Sequence, residues 1–410
     1  MKTALWITLS CMMIGGFLFA QQRPPANIEF VESIPVETSL DNPDIRNTRE
    51  VWLEMIRAAR KTIDLEQFYI SPQKGETLDD IIKALRTVAG QGVRVRFIID
   101  KNMYKTYPAM ADSFSRMKNI SLRIIDFGLL AGGIQHAKYF VVDGEELFIG
   151  SQNFDWRSLS HIHELGLRVR QREIAKVYQQ LFDLDWRLAA LKEKDSLRLL
   201  LSSYSHSSPF PVRVSTSQYG TVTIQPTYSP RTVIPDTSLW DESHLMRLIG
   251  GAQKEVCLQF LSYSPRGRDN SYYEALDGSL RNAAARDVKV KLLVSDWQKG
   301  TRAERYLKEL SAVPNIQVKF SAIPDWSRGY VSFARVEHCK YILVDGKRFW
   351  LGTSNGERSY FHTSRNAGLI VENDQLAARL HQIFYKSWES AYTELVHLST
   401  TYAPRKHTEE

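Results

Sequence analysis

Apolar positions along the first half of the chain switch between two periods. Trp52, Met55, Ile56 and Ala59 recur at helical spacing behind Asn47 and Thr48, either of which can cap a helix. Lys61–Tyr69 then reads as a strand. Leu78, Ile81, Ile82, Leu85 and Val88 return to the helical period and stop near Gly90. Val93–Ile99 is a second strand, with Arg94 and Arg96 on one face, and Ser121–Ile125 a short third. A Gly-rich LLAGGIQ stretch leads to Tyr139–Val142 and Leu147–Ile149, two apolar runs joined by Asp143-Gly144, a hairpin pair. Leu165–Val169 is apolar. Ile174, Val177, Tyr178, Leu181 and Trp186 predict a long amphipathic helix.

The second half repeats this plan. Glu255–Tyr263 answers Lys61–Tyr69, Val288–Val294 answers Val93–Ile99, and Asn315–Ala322 answers Asn119–Asp126. Leu376, Leu380, Ile383, Phe384 and Trp388 answer the late helix, and Trp186 and Trp388 differ by 202 positions. Alternating helices and strands, present twice, predict two α/β layered domains.

The repeat is sharpest at HAKYFVVDGEELFIGSQN, from His136, and HCKYILVDGKRFWLGTSN, from His338. His136 and Lys138, Asp143, Gly150-Ser151 and Asn153 match His338 and Lys340, Asp345, Gly352-Thr353 and Asn355, each 202 positions apart with no gap. On a strand, His and Lys two apart share a face, and the strand that returns from the hairpin brings the hydroxyl and amide back beside them. An imidazole, an ammonium, a hydroxyl and an amide suit a phosphate: donors for its oxygens and a nucleophile or base for its phosphorus. A lone H-x-K is ordinary surface decoration; two gapless copies with matching Ser/Thr and Asn are not.

H-x-K-x4-D-x6-G-[ST]-x-N, present twice, resembles the phospholipase D superfamily. VESIP (Val31–Pro35), NFDWRSL (Asn153–Leu159), ARVEHCKY (Ala334–Tyr341) and GTSN followed by Tyr360-Phe361 resemble, more narrowly, the group containing the lysosomal type II membrane phospholipase-D-like 5′-exonucleases. The likeness runs from about Glu29 to about Tyr392. It implies two tandem α/β domains, each a mixed sheet flanked by helices, packed with pseudo-two-fold symmetry so that both motifs form one site. The chemistry agrees, since one His cannot be nucleophile and leaving-group acid at once. The resemblance also implies the roles. One His forms a phosphohistidine, and the other protonates the departing oxygen and later activates water. Lys138, Lys340, Asn153 and Asn355 hold the non-bridging oxygens, supported by Ser151 and Thr353, so neither cofactor nor metal is expected. The motif Asp residues are structural. Glu164 and Asn366, each 28 residues after a motif His, are expected to contact the His of the opposite half. A carboxylate favours an imidazolium and an amide does not, which makes His338 the proton donor and His136 the nucleophile.

Phe154, Trp156, Trp326, Tyr360 and Phe361 lie near the motifs, either as core packing or as a stacking platform for unpaired bases. His161, His163 and His362 are expected to be surface or packing residues. Three functions compete: a nuclease on single-stranded DNA or RNA, which the resemblance favours; a phospholipase D or phosphatidyl transferase; and a non-catalytic binder, against which the intact His and Lys of both copies argue.

The 410 residues, 43% apolar, suffice for two cores, and the net charge of +7 fits an anionic substrate without requiring one. Residues 1–20 carry Lys2 and an apolar run from Ala4 to Phe19. They read as an export signal to the periplasm, lumen or exterior, or else as a membrane anchor, though short for a span. Cys257 and Cys339 are the only cysteines beyond that segment and are expected to be buried free thiols. The expected layout is a first domain at 27–200, a Ser/Thr/Pro-rich linker or arm at 201–235 with short strands at Val212–Val214 and Val222–Ile224, a second domain at 236–400, and a disordered tail at 401–410.

Overall fold

The computed structural model describes residues 27–193, 197–204, 210–267 and 269–406; the expected export signal or anchor lies outside these residues. Two mixed sheets carry the fold. The first has eight strands, in the order Arg46–Asn47, Asn27–Ser33, Glu164–Arg170, Glu146–Gly150, Tyr139–Val142, Thr62–Glu66, Arg94–Asp100, Ile120–Ile125. The last three run parallel, joined by right-sized helical crossovers such as Leu78–Gly90; the hairpin side is antiparallel. The second sheet has nine strands, in the order Val212–Thr216, Gly220–Ser229, Asn366–Glu372, Arg348–Gly352, Tyr341–Val344, Glu255–Phe260, Lys289–Ser295, Ile316–Ser321, Thr393–Leu395.

The inner faces of the two sheets share one core. Val141, Ile149 and Leu167 from the first sheet and Leu343, Leu351 and Leu369 from the second belong to one buried cluster with the Arg172–Leu188 and Asp374–Trp388 helices. Each sheet also has its own outer core, around Trp52 and Phe97 in the first half and around Trp350 and Leu292 in the second. Among the described residues, no helix is long and apolar enough to cross a membrane.

Two expected boundaries change. The stretch expected to link the halves instead contains Gly220–Ser229, whose residues Thr223–Ser229 run antiparallel to Asn366–Glu372 and which, with Val212–Thr216, completes the second sheet. Val222 and Ile224 are fully buried, so the alternation within a polar-looking segment is a core pattern. The expected disordered tail is ordered as far as residue 406: Tyr402 packs edge-on to Phe320 at 5.1 Å, and Arg405 pairs with Asp296 at 2.6 Å. An N-terminal strand, Asn27–Ser33, was also not legible; it pairs with Glu164–Arg170.

Candidate active site

The motif hairpins are fixed from behind by their Asp residues. Asp143 and Asp345 take up positive φ of 54° and 55° at the turns. The Asp143 carboxylate accepts from the backbone N–H groups of Arg60, Lys61 and Thr62 at 2.7–2.8 Å, and Asp345 does the same for Gln253, Lys254 and Glu255. They therefore hold each hairpin to the neighbouring strand, the structural role expected of them.

The His-x-Lys segments lie just before the strands that begin at Tyr139 and Tyr341, and not within them. Their backbone is instead pinned across the domain boundary. The His136 N–H donates to the Arg365 carbonyl and the Arg365 N–H to Ile134, both at 2.9 Å. On the other side the His163 N–H donates to Val336 at 3.0 Å and the His338 N–H to His163 at 2.9 Å. Each half thus lends a short extended segment to the other at the site. Lys138 and Lys340, both fully buried, fold back so that Nζ donates to the carbonyl of their own motif His at 2.6 Å.

The cross-domain partners of the imidazoles are those expected. His338 Nδ1 lies 2.7 Å from Glu164 Oε2, and His136 Nδ1 lies 3.0 Å from Asn366 Oδ1. The Asn366 amide is oriented by its other end, which donates to the Tyr360 carbonyl at 2.8 Å. Its oxygen therefore faces His136 and accepts the Nδ1 proton, leaving the Nε2 lone pair free. Glu164 is held by Ser158, whose hydroxyl donates to it.

Burial first, then Lys138 and Lys340, push His136 well below the ordinary imidazole range; burial, Lys340 and Lys138 do the same to His338. Each His thus feels the lysine of the other copy, so the two motifs form one site. Burial raises Glu164 to about 7 and lowers Lys340 to about 7, each opposed by the charge of the other. With Glu164 raised and His338 lowered, burial favours the neutral forms of both across their 2.7 Å contact, so the carboxylate does not hold His338 as the imidazolium expected of it. The two imidazoles sit in a recess and are 5% and 7% exposed: reachable, yet dry enough to strengthen every contact with an anion. Asn153 and Asn355 are buried beside the motifs, and each leaves its amide oxygen without a hydrogen-bond partner.

Other expected residues are placed differently. The Ser151 hydroxyl accepts from the Leu165 N–H at 3.0 Å, and the Thr353 hydroxyl donates to Asn366 at 2.9 Å. These hydroxyls stand behind Glu164 and Asn366, where they set the partners of the imidazoles. Phe154 and Phe361 are not platforms for bases. Both are fully buried in the outer cores, Phe154 stacked on Trp52 at 5.5 Å and Phe361 on Tyr273 at 6.1 Å. The strand that exits after Asn153 or Asn355 turns this part of the chain inward. Tyr360, half-buried, does reach the site, with its ring edge-on to His136 at 4.9 Å. Phe68 sits on another side of the same imidazole at 5.0 Å, with Lys138 Nζ 5.0 Å from its ring centre. Phe68 was missed because it closes an apolar strand and carries no local sign of its neighbour. Trp156 and Trp326 flank His161 at 5.3 and 4.8 Å. His161 and His163 are buried, and His163 is paired with Glu337. Cys257 and Cys339 are buried free thiols. His163, Glu337 and Cys339 place possible metal-ligating atoms within 4.8 Å of one another, but the His and Glu are already bonded to each other.

The chain matches the family described as cardiolipin synthase, PLD-like domain, over residues 52–186 and again over 245–388. It is 30% identical to phospholipase D Z of Dictyostelium discoideum, over 92% of this chain and 93% of that one. It is 28% identical to the virion nicking-joining enzyme of vaccinia virus, covering 90% of each chain, and 28% identical to the 5′-3′ exonuclease PLD3 of Macaca fascicularis, covering 91% and 82%. Among solved structures, phosphatidylserine synthase of Haemophilus influenzae superposes with a TM-score of 0.64 over 91% of this chain and 88% of that one, at 12% identity, a likeness of fold. Two matched domains, relatives along nearly the whole chain, and paired His and Lys side chains converging on one recess lead to one conclusion: the chain belongs to the phospholipase D superfamily and is one of its phosphodiester-cleaving or -transferring enzymes.

Proposed function

We propose that this protein is a metal-independent phosphodiesterase that trims single-stranded nucleic acid from its 5′ end through a phosphohistidine. His136 Nε2 attacks phosphorus, and the P–O bond to the departing strand breaks as the N–P bond forms. His338 gives its Nε2 proton to the departing oxygen while taking up the proton held with Glu164. In the second step His338 removes a proton from water, whose oxygen attacks phosphorus and releases His136. Lys138, Lys340, Asn153 and Asn355 meet the non-bridging oxygens and supply the stabilisation that a metal ion supplies elsewhere.

The observation that carries the choice of nucleic acid is the pair of half-buried aromatic rings, Phe68 and Tyr360, against the proposed nucleophile at 5.0 and 4.9 Å. Base–aromatic stacking is worth ~1–3 kcal/mol per base and is open to an unpaired strand but not to a closed duplex. The exonuclease and nicking-joining relatives support the same reading. The relatives named as phospholipases D support the alternative, a membrane phospholipid substrate. Incubation with a chelator decides between them, offering a labelled 5′-hydroxyl oligonucleotide, its duplex, and phospholipid vesicles in separate reactions. The proposal expects mononucleotides from the single strand and little from the others. Vesicle hydrolysis without oligonucleotide cleavage would promote the lipid reading. Loss of activity on chelation, restored by one specific ion, would overturn the mechanism.

A further inference from the structure

The two cross-domain contacts at the site are built alike and charged differently. At the first, Gln135 and Arg365 lie side by side; at the second, Glu337 and His163 occupy the matching positions. Behind the first, Arg365 forms a two-pronged pair with Asp185, both bonds 2.7 Å and both side chains fully buried, and the Gln135 amide donates to Glu66, as does the Tyr139 hydroxyl. Behind the second, His163 Nδ1 lies 2.6 Å from Glu337 Oε2, both side chains 1% exposed. Gln259 donates to the same Glu337 oxygen at 2.6 Å and in turn accepts from Tyr341. The domains are thus bolted on both sides of the recess. One bolt carries an Arg that keeps its proton at every working pH; the other carries a His that does not.

The second bolt has a particular place in the chain. His163 immediately precedes Glu164, and Glu337 immediately precedes His338, so one buried pair fixes the backbone on both sides of the Glu164–His338 contact. The geometry points to His163 and Glu337 as positioning residues for the reaction, holding His338 and Glu164 in register only while their ion pair keeps its proton. The inference rests on the reading of His338 as proton donor.

The groups facing His163 agree in sign. Burial alone pushes its imidazole down, but the carboxylates of Glu337, Glu32 and Glu164 more than offset this, and the net shift is upward. A raised folded-state value means that the pair's contribution is fully present below the ordinary imidazole range and is lost as pH rises through the raised value. Above it, Glu337 remains as a buried carboxylate with no cation, next to His338 in sequence. On the His136 side the Arg365 guanidinium, paired with Asp185, keeps its proton through that range, although the Glu66 carboxyl behind it is itself raised by burial and by Asp185.

The test uses bis(4-nitrophenyl) phosphate, a diester small enough to need neither a strand nor a membrane, and follows kcat and KM against pH. His163→Gln is expected to lower kcat about tenfold at acidic pH with KM within about twofold, because the proton-transfer geometry is lost and phosphate binding is not. The double variant His163→Gln/Glu337→Gln, a neutral hydrogen-bonded pair, is expected to recover kcat to within about threefold of wild type. Its alkaline fall in kcat should lie at higher pH than that of wild type. Circular dichroism checks that each variant folds. If His163→Gln does not fold, the His163 ring is titrated by NMR in the wild type, and its ionisation should track the alkaline fall. A folded single variant with unchanged kcat, a double variant whose profile superposes on wild type, or a His163 that titrates independently of kcat each overturns the inference. If the wild type leaves the diester intact, it is the phosphodiesterase reading that fails.

Discussion

The asymmetry of the site resides in two side chains. Glu164 and Asn366 occupy matching places, and one faces His338 as a carboxylate while the other faces His136 as an amide. Glu164→Gln should therefore slow the steps that need proton transfer, lowering kcat by ~10²-fold while KM stays near wild type. A Glu164→Gln enzyme with wild-type kcat would leave Glu164 no part in proton transfer. Lys340 gives a second prediction. Burial holds it at about 7, so it loses its charge as pH rises through that value; burial also pushes Lys138 well below the ordinary lysine range, so the cationic charge of the site falls as pH rises. KM for an anionic diester should then climb above pH 7, and Lys340→Arg, which keeps its charge, should flatten that climb even if it lowers kcat. A KM that is level from pH 6 to pH 9 in the wild type would contradict this.

The hairpins and crossings set these side chains, and they differ in how far sequence reveals them. Asp143-Gly144 and Asp345-Gly346 were legible as turns because few residue pairs tolerate positive φ in succession, as these four do. Asp143→Ala should strand three backbone N–H groups and cost about 3 kcal/mol, read as a lowered thermal midpoint, with kcat of the folded enzyme unchanged. A loss of kcat without a loss of stability would make the Asp catalytic after all. Helices such as Leu78–Gly90 are legible, with an end near Gly90, because an apolar stripe runs into that glycine. The crossing segments were not. Gln135, His163, Glu337 and Arg365 look like loop residues, and their burial follows from the docking of one half on the other, which no local pattern encodes. The burial of Phe154 and Phe361 is hidden for the same reason: an aromatic after a site residue points to substrate or core according to where the chain turns next. The full strand Gly220–Ser229 reads only as a linker or arm with a short strand at Val222–Ile224, because Thr, Ser and Pro dominate it and its partner, Asn366–Glu372, lies more than a hundred residues away.

The two halves depend on each other for their core and for their chemistry. The cluster between the sheets draws on strands and helices of both, so either half alone would expose a broad apolar face. Residues 27–200 expressed alone are expected to aggregate or to lack near-ultraviolet circular dichroism, and co-expression with residues 201–410 to restore a soluble complex. A soluble, cooperatively melting half would show that the shared core is dispensable. The central claim is that His136 of one half is the nucleophile and His338 of the other manages the protons. Trapping the intermediate tests it most directly. A substrate with a good leaving group and a labelled phosphorus is mixed with His338→Ala and, separately, with His136→Ala, and the protein is quenched under conditions that spare phosphohistidine. The account predicts that His338→Ala accumulates label, because attack needs no acid when the leaving group is good while hydrolysis still needs a base, and that His136→Ala takes up none. Label on the His136→Ala protein and none on His338→Ala would reverse the roles and contradict the pairing of Glu164 with a proton donor.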